Sequence, residues 1–248
     1  MEPLSERDIC GFRVREFKTL DSTSSYLKRL AKTDGRHKDA AVALSQTAGR
    51  GRSGRSFFSP ESGLYLSVLL KKGLEAETAE LITPAAAVAV AKALEETGSP
   101  RAGIKWVNDI YIGGKKVCGI LTETGASQAL DWAVIGIGVN IKAPEGGFPK
   151  EIAERAGAAF SNPDGTTRER LLENVLKNLD KRLSQLKTRE FVPIYRERSI
   201  LLGKSVLLRS QGGETPAEVV DIDGGCRLVV RVGGVLRTVC SGEVSVIL

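Results

Sequence analysis

A chain of 248 residues, 42% of them hydrophobic, is long enough to bury one sizeable core and to carry a small appended domain. Its formal net charge of +6 invites a nucleic-acid reading, yet the basic residues are spread along the chain and no aromatic–basic stacking platform accompanies them. No apolar run approaches a membrane span and residues 1–7 lack the apolar stretch of a secretory leader, so a cytoplasmic chain without a membrane partner is expected.

Residues 12–17 alternate apolar and charged side chains and predict a strand. Asp21, Ser22 and Thr23 then offer N-caps for an amphipathic helix through Tyr26, Leu27, Leu30 and Ala31. Strand-like runs follow at 40–44 and 64–70. Thr83 and Pro84 open an alanine- and valine-rich helix that reaches Glu96 and stops at Gly98, apolar enough to be buried against a sheet. Further strands are predicted at 105–112, 116–123 and 132–141, the first two joined by a tight turn at Gly113-Gly114. A polar connection spans 143–165. Thr166 and Glu169 have capping-box spacing, and Leu172, Val175, Leu179, Leu183 and Leu186 mark the inner face of the helix they would open. Beyond Leu202 short β-rich runs at 205–209, 217–222, 227–232, 235–240 and 243–248 are split by Gln211-Gly212-Gly213, Asp223-Gly224-Gly225 and Gly233-Gly234, the pattern of a small antiparallel barrel.

Two segments carry chemistry. In Gln46-Thr47-Ala48-Gly49-Arg50-Gly51-Arg52-Ser53-Gly54-Arg55 the glycines free the backbone while fixed cations project from it, which suits a loop that wraps a phosphorylated ligand. It matches neither the P-loop nor the dinucleotide fingerprint, and alone it is equally a mobile basic loop. In the hairpin, Lys105, Asn108 and Asp109 on one strand and Lys116 on the other lie close together, as a solvated cluster or as an anion and metal site. The cysteines at 10, 118, 226 and 240 have no metal or redox spacing and read as reduced thiols. His37 is the sole histidine and lies in a polar stretch, so it reads as a solvated loop residue rather than a general base.

Five ordered blocks give the chain a resemblance to the biotin protein ligases: Asp21-Ser22-Thr23-Ser24; the 46–55 loop; Lys105-Trp106-Val107-Asn108-Asp109; Lys116-Val117-Cys118-Gly119-Ile120-Leu121; and Gly136-Ile137-Gly138-Val139-Asn140. The resemblance implies an α/β (α+β) catalytic domain over residues 1–200, with a mixed β-sheet and packed helices, and a small SH3-like β-barrel over 201–248. It implies ATP-dependent ligation of biotin to a lysine of a biotin carboxyl carrier protein through biotinyl-5′-AMP, with Mg2+ accompanying ATP. Some members carry an N-terminal winged helix that binds an operator. None is expected here, so no DNA binding is expected. Homodimers occur in the family, and strand edges near 132–141 would be the surface to pair.

By the same resemblance Lys116, Arg52 and Asp109 are the catalytic candidates, Lys116 as the central cation and Asp109 either orienting the incoming amine or holding the metal. Biotin falls to Ser22, Thr23, Ser24, Gln46, Arg50, Gly51, Arg52, Lys116 and Gly119, and the nucleotide to Gly49, Arg50, Arg52, Lys105, Trp106, Asn108 and Asn140. Trp106 reads equally as a core tryptophan, and Arg55 as a surface contact. Position 107 is Val where the family commonly has proline, and position 24 is Ser where it commonly has asparagine. The rival readings are a lipoate or octanoate ligase of the sister branch and a non-catalytic basic module with a vestigial site.

Overall fold

The structure is a computed structural model that describes residues 2–72, 74–126, 130–210, 213–240 and 243–246. In chain order its elements are β1 (Ser5–Ile9), β2 (Phe12–Leu20), α1 (Thr23–Ala31), β3 (Asp39–Gln46), β4 (Gly63–Leu70), α2 (Ala76–Ala79), α3 (Ile82–Glu96), β5 (Gly103–Lys105), β6 (Asp109–Ile112), β7 (Lys115–Ala126), β8 (Leu130–Asn140), α4 (Lys150–Ala153), α5 (Thr167–Ser184), α6 (Val192–Glu197) and β9 to β13 (Ser205–Ser210, Gly213–Ile222, Leu228–Val232, Val235–Val239, Glu243–Val246). The first eight strands form one mixed sheet in the order β1-β2-β3-β4-β8-β7-β6-β5, with β2 and β3 parallel and the other neighbours antiparallel. The last five form a separate antiparallel sheet, β12-β11-β10-β9-β13.

Period two along the strands sorts side chains between the faces of the large sheet. Leu64, Leu66, Val68, Ile120, Ile135, Ile137 and Val139 join α3, α5 and the C-terminal strands in the main core. Phe17, Ala41, Ala43, Leu69 and Val134 face the other way and pack under Leu27 and Ala31 of α1. The covering helices follow from their patterns. The α3 body is nearly all alanine and valine, so it lies close to the sheet and packs its other side against α5.

Several predicted details resolve differently. The strand predicted over 105–112 is broken, because Lys105 pairs back on Asp109 and a turn at 106–108, with a cis Trp106–Val107 peptide, separates β5 from β6. Thr83 does not cap α3: the helix starts at Ile82, and the Thr83 hydroxyl donates to Thr122 on β7. The Thr166–Glu169 capping box does not form either. Asp164 takes that place, accepting from the Thr166 hydroxyl, the Thr167 hydroxyl and the Thr166 backbone N–H, which hold its carboxyl at about 2. Glu169 turns instead to Arg7. His37 is half-buried rather than solvated, and its Nδ1 accepts the backbone N–H of Lys71 at 3.3 Å. The 132–141 strand has no free edge, since β8 is bonded by β4 on one side and β7 on the other. The edges are β1 and β5, and the latter is lined by residues 198–200. Residues 211, 212, 247 and 248 of the predicted C-terminal pattern lie outside the described residues. All four cysteines are free, Cys118 and Cys226 buried and Cys10 and Cys240 exposed.

Candidate active site

Lys116 reaches the site through a defect in the ladder. The β6–β7 register runs Asp109↔Gly119 and Ile110↔Cys118, then skips Val117 to Tyr111↔Lys116. Without that bulge Lys116 would share the core-facing parity of Cys118. The extra residue reverses it, and Lys116 lies on the face of Gly119. Its ammonium stands 2.6 Å from the Asp109 carboxylate and 3.5 Å from where a Cβ on Gly119 would sit. Residues 155–157 brace the backbone there, Arg155 O accepting from the Lys116 N–H and Gly157 N–H donating to Lys116 O. The predicted plain connection is therefore part of the site's frame. Cys118, beside this cation in sequence, is fully buried and pushed up, so it is no nucleophile.

Beside Lys116 lies a floor made of glycines. Gly119, Gly136 and Gly138 come from β7 and β8 on the α1 side. A Cβ on Gly138 would lie 2.6 Å from the Phe57 ring, one on Gly119 3.1 Å from it, and one on Gly136 would collide with the Ser24 hydroxyl. The missing side chains are what let an aromatic ring and a hydroxyl sit directly on the sheet.

The wall opposite is polar. Ser22 caps α1, accepting the Ser25 N–H at 3.4 Å. Gln46 Oε1 accepts the Thr23 backbone N–H at 2.9 Å and the Thr23 hydroxyl at 3.2 Å, and its Nε2 donates to Ser59 Oγ at 3.0 Å. Thr23 and Ser24 each reach Ser67 on β4, at 2.8 and 2.9 Å.

The arginine loop is a finger. Gly49 and Phe57 pair at its base, Gly51 and Arg55 farther out, and Ser53 (φ 55) and Gly54 (φ 73) make the left-handed tip. Gly49 is required at the base, because a side chain there would run into Phe57 O and Ser59 Oγ. Arg50 is exposed and pairs with Glu123 at 2.8 Å, an oxygen that Lys28 of α1 also binds at 2.8 Å. Arg52 donates to Asn108 Oδ1 at 3.2 Å, while Asn108 Nδ2 donates to Ile120 O at 2.7 Å, so the 106–108 turn holds this arginine beside β7.

The structure thus brings Thr23, Ser24, Gln46, Gly119, Lys116 and Asp109 onto one face, with Arg52 and Asn108 joined at its rim. Other predicted residues are spent elsewhere. The Trp106 indole is 5% exposed and its N–H donates at 2.9 Å to Cys226 O in the turn between β10 and β11, the core placement of its two readings. The Lys105 ammonium lies 5.8 Å above the Tyr111 ring. Asn140 donates to Gly157 O at 3.1 Å and so anchors the stretch that braces Lys116. The Asp109 carboxylate is paired with Lys116, and among the described residues no three His, Cys, Asp or Glu side chains come together as a metal cluster.

Phe57, Ser59, Ser67 and Glu123 escaped the sequence reading. Ser67 did carry a signal, as the one serine in an otherwise apolar and aromatic run. Two clefts, of about 540 Å3 between α6 and the C-terminal sheet and about 420 Å3 beside Gly113-Gly114, lie away from Lys116 and its glycine floor.

Three kinds of comparison bear on this arrangement. The model of the Biotin/lipoate A/B protein ligase family matches residues 16–140. The bifunctional ligase/repressor BirA of Bacillus subtilis (strain 168) is 29% identical over 245 residues, covering 96% of this chain and 75% of its own. The biotin–[acetyl-CoA-carboxylase] ligase of Mycobacterium tuberculosis is 32% identical over 219 residues, covering 82% of this chain and 77% of its own. Among solved structures, the biotin protein ligase of Aquifex aeolicus in complex with biotin and ATP superposes with a TM-score of 0.78 at 31% identity, over 94% of this chain and 97% of that one.

Proposed function

This chain belongs to the biotin/lipoate A/B protein ligase family, and from that membership we infer that it is a biotin protein ligase, which activates biotin with ATP and transfers it to a protein lysine. The observation that carries the biotin branch is the juxtaposition of Lys116 with a glycine floor and a hydroxyl–amide wall. A cyclic urea on an apolar ring needs a few fixed hydrogen-bond partners inside a wall that admits its bulk, and Thr23, Ser24, Gln46 and the Phe57 ring over Gly119 and Gly138 are of that kind.

In the first step the biotin carboxylate attacks the α-phosphate of ATP, forming biotinyl-5′-AMP and releasing pyrophosphate. Two anions must meet, so cations have to offset the charge that gathers on the phosphoryl oxygens. Lys116, a compact point charge on a braced backbone, lies between the two groups. Asp109 positions its ammonium at 2.6 Å. Arg52, held by Asn108, supplies a second cation, and Arg50 leaves Glu123 to join it over the adenylate. In the second step the amine of the carrier lysine attacks the mixed anhydride and AMP departs. Asp109 is the nearby carboxylate for that amine. Magnesium would accompany ATP and offset phosphate charge, and Asp109 is the carboxylate of this site that would meet it.

The carrier is a biotin carboxyl carrier domain of a biotin-dependent carboxylase, a reading supported by the acetyl-CoA-carboxylase ligases among the relatives. Homodimerisation rests on the family resemblance alone once the 132–141 edge is removed, and sedimentation at micromolar concentration decides it.

The test is exchange of labelled pyrophosphate into ATP with biotin, lipoate and octanoate in parallel. Exchange with biotin alone is expected. Exchange with lipoate or octanoate instead would move the chain to the sister branch of the family, and no exchange with any acid would make the site vestigial.

A further inference from the structure

Ser67 is completely buried in the middle of β4, a strand whose eight residues are all buried and whose other hydroxyl, that of Tyr65, is turned to Pro60 O. It touches two residues of the polar wall, Thr23 at 2.8 Å and Ser24 at 2.9 Å, and lies behind both. The room for this contact is provided across the ladder: its β8 partner is Gly136, over which the Ser24 hydroxyl sits.

Counting protons gives the chain of hydroxyls a direction. Each hydroxyl has one hydrogen to donate. The orientation of the Gln46 amide is fixed at both ends. The Thr23 backbone N–H can only donate, so Oε1 faces it. Ser59 gives its hydrogen to Phe57 O, so it must accept from Nε2. Thr23 donates its hydroxyl hydrogen to Gln46 Oε1. Having none left, it must accept from Ser67. Ser67 has then spent its own hydrogen and must accept from Ser24. The sequence of donors is Ser24 to Ser67 to Thr23 to Gln46, with Gln46 continuing to Ser59 and Phe57 O.

That order fixes what the wall offers. Thr23 and Ser24 are left with lone pairs only, while Gln46 keeps one amide hydrogen and Ser22 its hydroxyl hydrogen. Acceptors beside donors match a group carrying both N–H and C=O, as a cyclic urea does, and have nothing to pair with on a dithiolane or an alkyl chain. We propose that Ser67 is a positioning residue that sets the donor–acceptor polarity of the ureido pocket through Thr23 and Ser24, without touching the ligand itself. The proposal rests on the biotin reading given above.

Removing the Ser67 hydroxyl lets the Thr23 and Ser24 hydroxyls rotate and leaves a buried group without its partner. For Ser67→Ala the KM for biotin in pyrophosphate exchange should rise by about tenfold, while kcat and the KM for ATP stay within about twofold. Ser67→Thr keeps the hydroxyl on a residue suited to strands and faces Ala41 and Gly136 as cross-strand neighbours, so it should restore the biotin KM to within about threefold of wild type. Circular dichroism and the melting temperature establish that each variant is folded. A folded Ser67→Ala with an unchanged biotin KM overturns the relay while leaving the ligase reading standing. Equal losses in kcat and in both KM values for Ser67→Ala and Ser67→Thr would reduce Ser67 to a packing residue. Wild-type protein that exchanges with no biotin at all overturns the ligase reading, and the relay falls with it.

Discussion

On its α3 side the large sheet carries Leu64, Leu66, Val68, Ile120, Ile135, Ile137 and Val139, while on its α1 side the same strands carry Tyr65, Ser67, Gly119, Gly136 and Gly138. Neighbouring residues of one strand therefore do opposite work. In Gly136-Ile137-Gly138-Val139 the glycines let the Ser24 hydroxyl and the Phe57 ring lie on the sheet, and Ile137 and Val139 fill the core. Volume is what separates the two faces. Removing it from the α3 side leaves a cavity that the packed helices cannot close, whereas adding it to the α1 side displaces Phe57 or Ser24.

The largest expected effect belongs to the cation that the bulge delivers to the α1 side. Lys116→Ala should lower biotin-dependent exchange by about 10³-fold, equivalent to about 4 kcal/mol, with an unchanged circular dichroism spectrum. Unaltered exchange would remove Lys116 from the chemistry. On the opposite face, Ile137→Ala should cost about 3 kcal/mol in urea unfolding and leave the biotin KM of the folded enzyme alone. A shift in KM comparable with the stability loss would show that the faces are not independent.

A third variant probes the cover of the α3 side. Glu95 near the end of α3 is bonded by both Nη atoms of Arg198, at 2.6 and 2.8 Å, and by the Ala102 N–H at 3.0 Å. The Arg198 bonds, ahead of the opposing desolvation, hold its carboxyl below the ordinary carboxylate value. Because the folded value is the lower one, this stability is present above the unfolded carboxylate range and is lost as pH falls through the folded value. Glu95→Gln should cost about 2 kcal/mol at pH 7, and the gap to wild type should close on acidification below the carboxylate range. A gap that stays constant with pH would assign the loss to packing.

Smaller effects return to the α1 side. Gly138→Ala places a Cβ 2.6 Å from the Phe57 ring, so it should raise the biotin KM by about fivefold with stability within about 1 kcal/mol of wild type. The least expected change is in tryptic cleavage at Arg50, Arg52 and Arg55, which should slow when biotin and ATP are added and draw the finger off Glu123. Equal cleavage rates would leave the finger where it now lies.

The strands themselves were legible in the sequence, since the 64–70 and 132–141 runs announce them, but the nearly continuous apolar run at 64–70 does not disclose which face each residue takes. The nearness of Lys116 to Asp109 was legible in the hairpin, but the face on which Lys116 lies was not. Its side depends on a one-residue slip between two strands, which neither strand discloses alone. The same holds for contacts closed over long separations. Ser67 lies 44 residues from Thr23 and Glu123 lies 73 from Arg50, and no local pattern couples them. The capping errors have a different origin. Thr166 and Glu169 had the right spacing, but Asp164, two residues before Thr166, accepts more bonds than a hydroxyl can and displaces them.

The indole of Trp106 bonds Cys226 O, the Tyr195 hydroxyl bonds Val107 O at 3.1 Å, and one continuous apolar core runs from Leu64 to Val244. A cut near residue 200 would take away the indole's acceptor and leave the turn that holds Asn108 on the Tyr195 bond alone. The consequence is thermodynamic cooperativity. The C-terminal sheet should have no melting temperature of its own, and heating should give a single transition in which calorimetric and van't Hoff enthalpies coincide.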